Sequence, residues 1–264
     1  MKQIFKFLII ISLIFVSESC ISSAIPSVPK EDDFVENGST NSPEIVDDSS
    51  FEGLTYLAYG DSITFGLTPI SGVTMLDPYP QLVSGMLGFN SVYNEGYCGG
   101  TLAGNNIGYV CVSDRIISDS KDADIISVML GVNDYANSLP LGSIDDKTND
   151  TVYGGLNLIA DFLTSSYENA FIFFMTPYKF KPSTGLCTHK NMAGYTLEDV
   201  ANAVKQVAAD YNIPVLDMYN KGHFEIEMYN SNSDGVHPSQ EFIREYTAPQ
   251  IAEFIRQNYK RGNN

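Results

Sequence analysis

Four short stretches of this sequence carry side chains that could do chemistry together. Gly60-Asp61-Ser62-Ile63-Thr64 closes an apolar run and presents a serine hydroxyl at the start of a helix, beside free backbone N–H groups. Asn94-Glu95-Gly96-Tyr97-Cys98-Gly99-Gly100-Thr101 is a glycine-rich loop, either a simple turn or a backbone that approaches a ligand closely and donates to an oxyanion. As a phosphate cradle it fails, because its spacing is not G-x-G-x-x-G and no G-x-x-x-x-G-K-[ST] occurs in the chain. Gly131-Val132-Asn133-Asp134 offers Asn133 as a helix cap or as a neutral amide donor to a developing alkoxide. In Asp234-Gly235-Val236-His237-Pro238, an acid three residues before a histidine can reach the imidazole, fix its tautomer and leave the other nitrogen free as a base. Each stretch alone has an ordinary reading as a cap, a turn or surface polarity. The set supplies a nucleophile, two kinds of donor and an oriented base, which is what acyl transfer requires.

Those residues need a frame that brings them to one place. From Leu54 onward, short apolar runs alternate with segments of helical period, without an internal repeat. The runs Leu54–Gly60, Ser91–Gly96, Asp124–Gly131, Ala170–Met175 and Ile213–Met218 are nearly continuous in apolar character and predict strands buried on both faces. Helices are predicted over Tyr79–Leu87, Thr151–Tyr167 and Ser239–Tyr259, the last kinked at Pro249. Another is marked by Leu197, Val200, Val204, Val207 and Tyr211, with Thr196 and Asp199 as a capping box. Strands alternating with helices predict an α/β domain with a five-stranded, doubly wound parallel sheet between helical layers. Such sheets bind ligands beyond the carboxyl ends of their strands, where all four stretches fall.

Composition narrows the function further. The chain has 264 residues and a formal charge of −17, from 15 Lys and Arg against 32 Asp and Glu, so a phosphate backbone would be repelled and nucleic acid is excluded as a partner. Residues 1–19 read as a signal peptide: Lys2 and Lys6 precede an apolar run from Phe7 to Val16, and Ser17, Glu18 and Ser19 stop it well short of a membrane span. Cys20 stands where a bacterial lipoprotein is cleaved and acylated, while Ser22-Ser23-Ala24 offers the competing site of plain secretion. Either way the protein is expected to be exported, touching a membrane only through a lipid anchor. Residues 20–53 read as an acidic, disordered tether, with eight acidic residues and one lysine between Ile21 and Gly53, ahead of a domain over 54–260. Cys98, Cys111 and Cys187 cannot all pair, although Cys98 with Cys111 would close a short loop. Neither they nor His189, His223 and His237 show zinc-site spacing, so no metal is expected.

With these residues in view, the chain resembles the GDSL/SGNH hydrolase family from about Leu54 to Tyr259. Gly60-Asp61-Ser62 resembles its first block, Asn94-x-Gly96-x-x-Gly99-x-Thr101 its second with Cys98 in place of a common serine, Gly131-x-Asn133-Asp134 its third, and Asp234-x-x-His237 its last. The resemblance implies a flavodoxin-like three-layer sandwich. It also implies a serine hydrolase without cofactor, in which Ser62 is the nucleophile, His237 the base and Asp234 its orienter. The N–H groups of Ser62 and Gly99 and the amide of Asn133 would form the oxyanion hole.

Substrate is less legible, because one fold of this kind serves many acyl chemistries. The expectation is hydrolysis of short, acetyl-type esters on extracellular carbohydrate or small molecules. The alternatives are a lipolytic esterase, for which no long apolar lid stands between the motifs, an acyltransferase, and a noncatalytic glycan-binding surface protein. The absence of Trp weakens a sugar-stacking cleft. Tyr178, Lys179, Lys181, His189 and Lys190, beyond the fourth strand, form either an ordinary surface loop or part of a substrate wall, and His223 reads as structural.

Overall fold

Five parallel strands form one sheet in the order β2-β1-β3-β4-β5: β1 (Thr55–Gly60), β2 (Ser91–Gly96), β3 (Ile125–Met129), β4 (Phe171–Met175) and β5 (Val215–Leu216). The computed structural model describes residues 51–68, 74–75, 77–104, 110–180, 187–223 and 234–260. The signal peptide, Cys20 and nearly all of the tether expected from the sequence lie outside the described residues. Among those described, no helix is long and apolar enough to cross a membrane.

Alternation along each strand sends successive side chains to opposite faces. Leu57 and Tyr59 of β1, Ile126 and Val128 of β3 and Phe174 of β4 face one core. It is covered by α3 (Val112–Ile116), α5 (Val152–Ser166) and α6 (Leu197–Asp210). Tyr56 and Ala58 of β1, Ile125 and Met129 of β3, and Phe173 and Met175 of β4 face the other. There α2 (Tyr79–Leu87) and the last helix cover them. Each fully buried Leu, Ile or Phe adds about 1.5–3 kcal/mol to this assembly. The capping box of α6 is present: Thr196 Oγ1 accepts the Asp199 N–H, and Asp199 accepts the Thr196 N–H at 2.7 Å.

Three elements differ from the sequence reading. β2 is an edge strand in which only Gly96 is buried, so its run is not covered on both faces as expected. The fifth strand is a two-residue ladder, because Pro214 has no N–H to give and Met218 already begins α7 (Met218–Lys221), capped by Asp217. The final helix is continuous but irregular just ahead of Pro249: α8 (Gln240–Phe242) runs into a π-helical turn at Ile243–Thr247 and then α9 (Ala248–Asn258), so the proline's missing N–H and its ring disturb the turn before it.

The chain leaves β1 toward β2 on one side and returns to β3 on the other. This reversal of direction opens a crevice at the carboxyl ends of β1 and β3. The short elements α1 (Ser62–Phe65) and α4 (Val132–Ala136) begin there.

Candidate active site

Directly after β1, the chain turns into the single helical turn of α1. Asp61 caps it, its carboxylate accepting the Ile63 N–H at 2.9 Å, and Gly66 closes it, its N–H donating back to the Ser62 and Ile63 carbonyls. Asn94 ties the end of β2 to this turn. Its Nδ2 donates to the Thr64 carbonyl at 2.8 Å, while its Oδ1 accepts the Gly96 N–H at 3.0 Å. The nucleophile turn is therefore held from both its own cap and the neighbouring strand, and Ser62 is only 5% exposed.

His237 reaches Ser62 from a loop 175 residues further along the chain. Its Nε2 lies 2.8 Å from Ser62 Oγ and its Nδ1 lies 2.6 Å from Asp234 Oδ2. Asp234 Oδ1 accepts the backbone N–H groups of Val236 and His237 at 2.9 and 3.0 Å. Partial burial acts upward on the Asp234 carboxyl, but the hydrogen bonds from His237 Nδ1 and the two backbone groups outweigh it and hold its pKa below the usual carboxylate range. An ionised Asp234 keeps the proton on Nδ1 and leaves Nε2 to accept from the serine hydroxyl.

The donors come from the other two loops. Gly99 has φ +74°, a conformation that a glycine adopts without strain, and the N–H groups of Ser62 and Gly99 have no acceptor among the described residues. Asn133 Nδ2 donates one hydrogen to the Gly100 carbonyl at 2.9 Å, which leaves its second hydrogen for another acceptor. Next to it, Asp134 is fully buried. Its carboxylate accepts the Leu102 N–H at 3.0 Å and the Ala103 N–H at 2.8 Å. Desolvation pushes Asp134 up to about 6 against these backbone hydrogen bonds. Desolvation likewise lifts Asp61 to about 7; its Ile63 hydrogen bond opposes the rise and the nearby charge of Asp134 adds to it.

The structure thus brings Ser62, His237, Asp234, Gly99 and Asn133 of the sequence reading to one edge of the sheet. The sequence had assigned no role to Asn94, Asp134 or Ser113; the first two lie inside recognised motifs, but their partners are far away in the chain. Cys98, Cys111 and Cys187 are all free thiols, so the Cys98–Cys111 bridge is absent. The Cys98 thiol is pushed up by partial burial and by Asp61, which opposes thiolate formation. Among the described residues, no three His, Cys, Asp or Glu side chains gather as a metal site would require.

Of the residues weighed for a substrate wall, burial rules out Tyr178. Tyr178 is core, its hydroxyl donating to Thr247 at 2.8 Å, and His189 contributes its backbone carbonyl to the Tyr135 hydroxyl. Lys181 lies outside the described residues. Lys179 stands over the Tyr219 ring at 4.6 Å and lines a cavity of about 480 Å³ together with Lys221 and His223. His223, expected to be structural, is exposed, with its ring against Tyr246.

Residues 58–242 match the model of the GDSL-like lipase/acylhydrolase family. The chain belongs to this family, and with it to the ester hydrolases. Solved structures of the same fold include a protein from Lactobacillus plantarum, 24% identical at a TM-score of 0.68, covering 79% of this chain and 99% of that one. A carbohydrate acetylesterase family member from Sinorhizobium meliloti is 21% identical at a TM-score of 0.54, covering 77% and 98%. The aryl esterase of M. smegmatis is 16% identical at a TM-score of 0.56, covering 78% and 100%. At these identities the likeness establishes the fold alone. No curated protein matches the sequence.

Proposed function

We propose that the protein is a serine esterase that hydrolyses short acyl esters, acetyl-type above all, on extracellular carbohydrate or small molecules. The observation that carries this reading is the continuous hydrogen-bond chain from Ser62 Oγ through His237 to Asp234, at 2.8 and 2.6 Å. His237 Nε2 takes the hydroxyl proton as Ser62 Oγ attacks the ester carbonyl, and Asp234 steadies the imidazolium. The tetrahedral oxyanion is received by the N–H groups of Ser62 and Gly99 and the free hydrogen of Asn133. Collapse expels the alcohol, which takes its proton from His237. Water, activated by the same imidazole, then releases the acid and restores Ser62. No step in this cycle calls on a cofactor or a metal. The carbohydrate acetylesterase family member among the structural relatives is consistent with a short acyl group.

The apolar run from Phe7 to Val16 supports export, and Cys20 supports anchoring by acylation. Metabolic labelling with a fatty acid, present in the wild type and lost in Cys20→Ala, tests the anchor; no label in the wild type leaves plain secretion.

The activity is tested with p-nitrophenyl esters of two to twelve acyl carbons, wild type against Ser62→Ala. Turnover that is greatest on the shortest esters and absent in the variant supports the reading. A maximum on long chains would replace it with a lipolytic esterase. An unaltered rate in Ser62→Ala would remove Ser62 as nucleophile.

A further inference from the structure

Asp134 is a fully buried carboxylate that the acyl-transfer cycle does not use, and fully burying such a group is costly without compensation. Its partners show what it holds. Both of its oxygens lie within 3.1 Å of the Leu102 N–H, and Oδ1 accepts the Ala103 N–H at 2.8 Å. On the far side of residue 102 stands Ser113, equally buried, from α3. Its hydroxyl donates to the Leu102 carbonyl at 3.0 Å. Leu102 is therefore gripped through its N–H by one element and through its carbonyl by another.

The gripped residue stands at the end of the loop that carries Gly99. Between them, the Gly100 carbonyl takes the Asn133 amide and the Thr101 N–H donates to Val110 at 3.0 Å. Gly99 itself makes no such bond among the described residues, so its direction is inherited from its neighbours. Asn133 and Asp134 are consecutive in α4, and one short helix thus presents an amide to the reacting oxygen and fastens the loop that presents the backbone N–H.

We propose that Asp134 and Ser113 are positioning residues of the oxyanion site: by clamping Leu102 from both sides they hold the Gly99 N–H and the Asn133 amide on one point in space. The proposal rests on the serine esterase reading above. Donors aimed in advance at the developing charge stabilise the transition state and not the ground state, so loosening the clamp reduces kcat and leaves KM nearly unchanged. Ser113 belongs to none of the four motifs and owes its part to the packing of α3 alone. Gly155 of α5 backs the same spot, since a Cβ there would stand 2.3 Å from the Leu102 carbonyl oxygen.

The test compares the full chain with Asp134→Asn and Ser113→Ala. Asn keeps the shape of Asp but turns one oxygen into a donor facing backbone donors. The first readout is kcat and KM on p-nitrophenyl acetate. The second is inhibition by an aryl trifluoromethyl ketone, whose carbonyl is attacked by Ser62 to give a tetrahedral oxyanion, against the matching methyl ketone, which binds without reacting. Asp134→Asn is expected to lower kcat by roughly 100-fold and weaken the trifluoromethyl ketone by a similar factor, with KM and the methyl ketone within about threefold. Ser113→Ala is expected to do the same by roughly tenfold. A purely structural role would reduce the amount of folded enzyme but leave the ratio of the two inhibition constants as in the wild type. If Asp134→Asn does not fold, Ser113→Ala, which removes one hydroxyl and adds no bulk, carries the test. Unchanged inhibitor ratios in the folded variants, with Ser62→Ala inactive, overturn the clamp. Turnover surviving in Ser62→Ala overturns the esterase reading instead.

Discussion

The two halves of this site are built in opposite ways. The base half is local and open: Asp234 and His237 are three residues apart, their backbone and side-chain bonds close within one loop, and Asp234 is more than a third exposed. The donor half is long-range and sealed, with Asp134 reaching residues more than thirty positions away from inside the core. The difference follows from what each half must do. An imidazole that takes and returns a proton needs only one oriented partner, and a short loop supplies it. Backbone donors from separate loops must converge on one point, and only fixed packing holds them there.

Variants can break or sharpen this contrast. The largest effect belongs to the shared centre: Ser62→Ala is expected to reduce kcat about 10⁵-fold or more, leaving only the residual rate of a site without its nucleophile, in a burst-corrected ester assay. Next, Asp234→Asn is expected to lower kcat by about 10³–10⁴-fold, since the amide no longer holds Nδ1 protonated, while the melting temperature barely moves because the residue is partly solvated. A large loss of thermal stability in Asp234→Asn would erase the claim that the base half is local. Asn133→Ala is expected to cost about 10²–10³-fold in kcat with KM little changed, and also to lower the melting temperature, because the Gly100 carbonyl loses its partner.

The smallest and most diagnostic effect concerns pH. Burial lifts Asp61 from its ordinary 3.8 to about 7 and Asp134 to about 6, so the folded protein binds protons that the unfolded chain has already released between about pH 4 and 7. The stability tied to these groups is full below about pH 4 and is lost as pH rises through their folded values. Asp234, held below its ordinary value, has the opposite sign, and its contribution is lost only as pH falls below about 4. Denaturant unfolding between pH 4.5 and 8 therefore isolates the buried pair, with stability expected to fall on the order of a few kcal/mol across that window. Asp61→Asn should flatten the curve, and a curve equally steep in the variant would place the proton uptake elsewhere. Stability thus favours the neutral acids, whereas the clamp on Leu102 works best with Asp134 ionised. The donor half carries this tension and the base half does not.

Much of the frame was legible from residue order. Ser91–Gly96 and Tyr79–Leu87 have the bounds the sequence indicates, and the Thr196–Asp199 box starts α6 where its spacing says, because strand alternation and helix caps are set by neighbouring residues. The last helix was less legible. The helix runs on through Pro249, and the irregularity falls one turn earlier, at Ile243–Thr247, on the carbonyls that the proline leaves without a donor.

The sequence by itself determined the parallel α/β architecture, the family, and the types of residue that meet at the site, including the Asp234–His237 pair, whose geometry closes within four residues. Only the tertiary structure decided what fixes the donors in place. Asp134 finds Leu102 and Ala103, Ser113 finds the Leu102 carbonyl, and Asn94 finds the Thr64 carbonyl across chain separations that no local pattern encodes. Such partners are chosen when the layers pack and each buried polar group must be satisfied by whatever the fold has brought beside it.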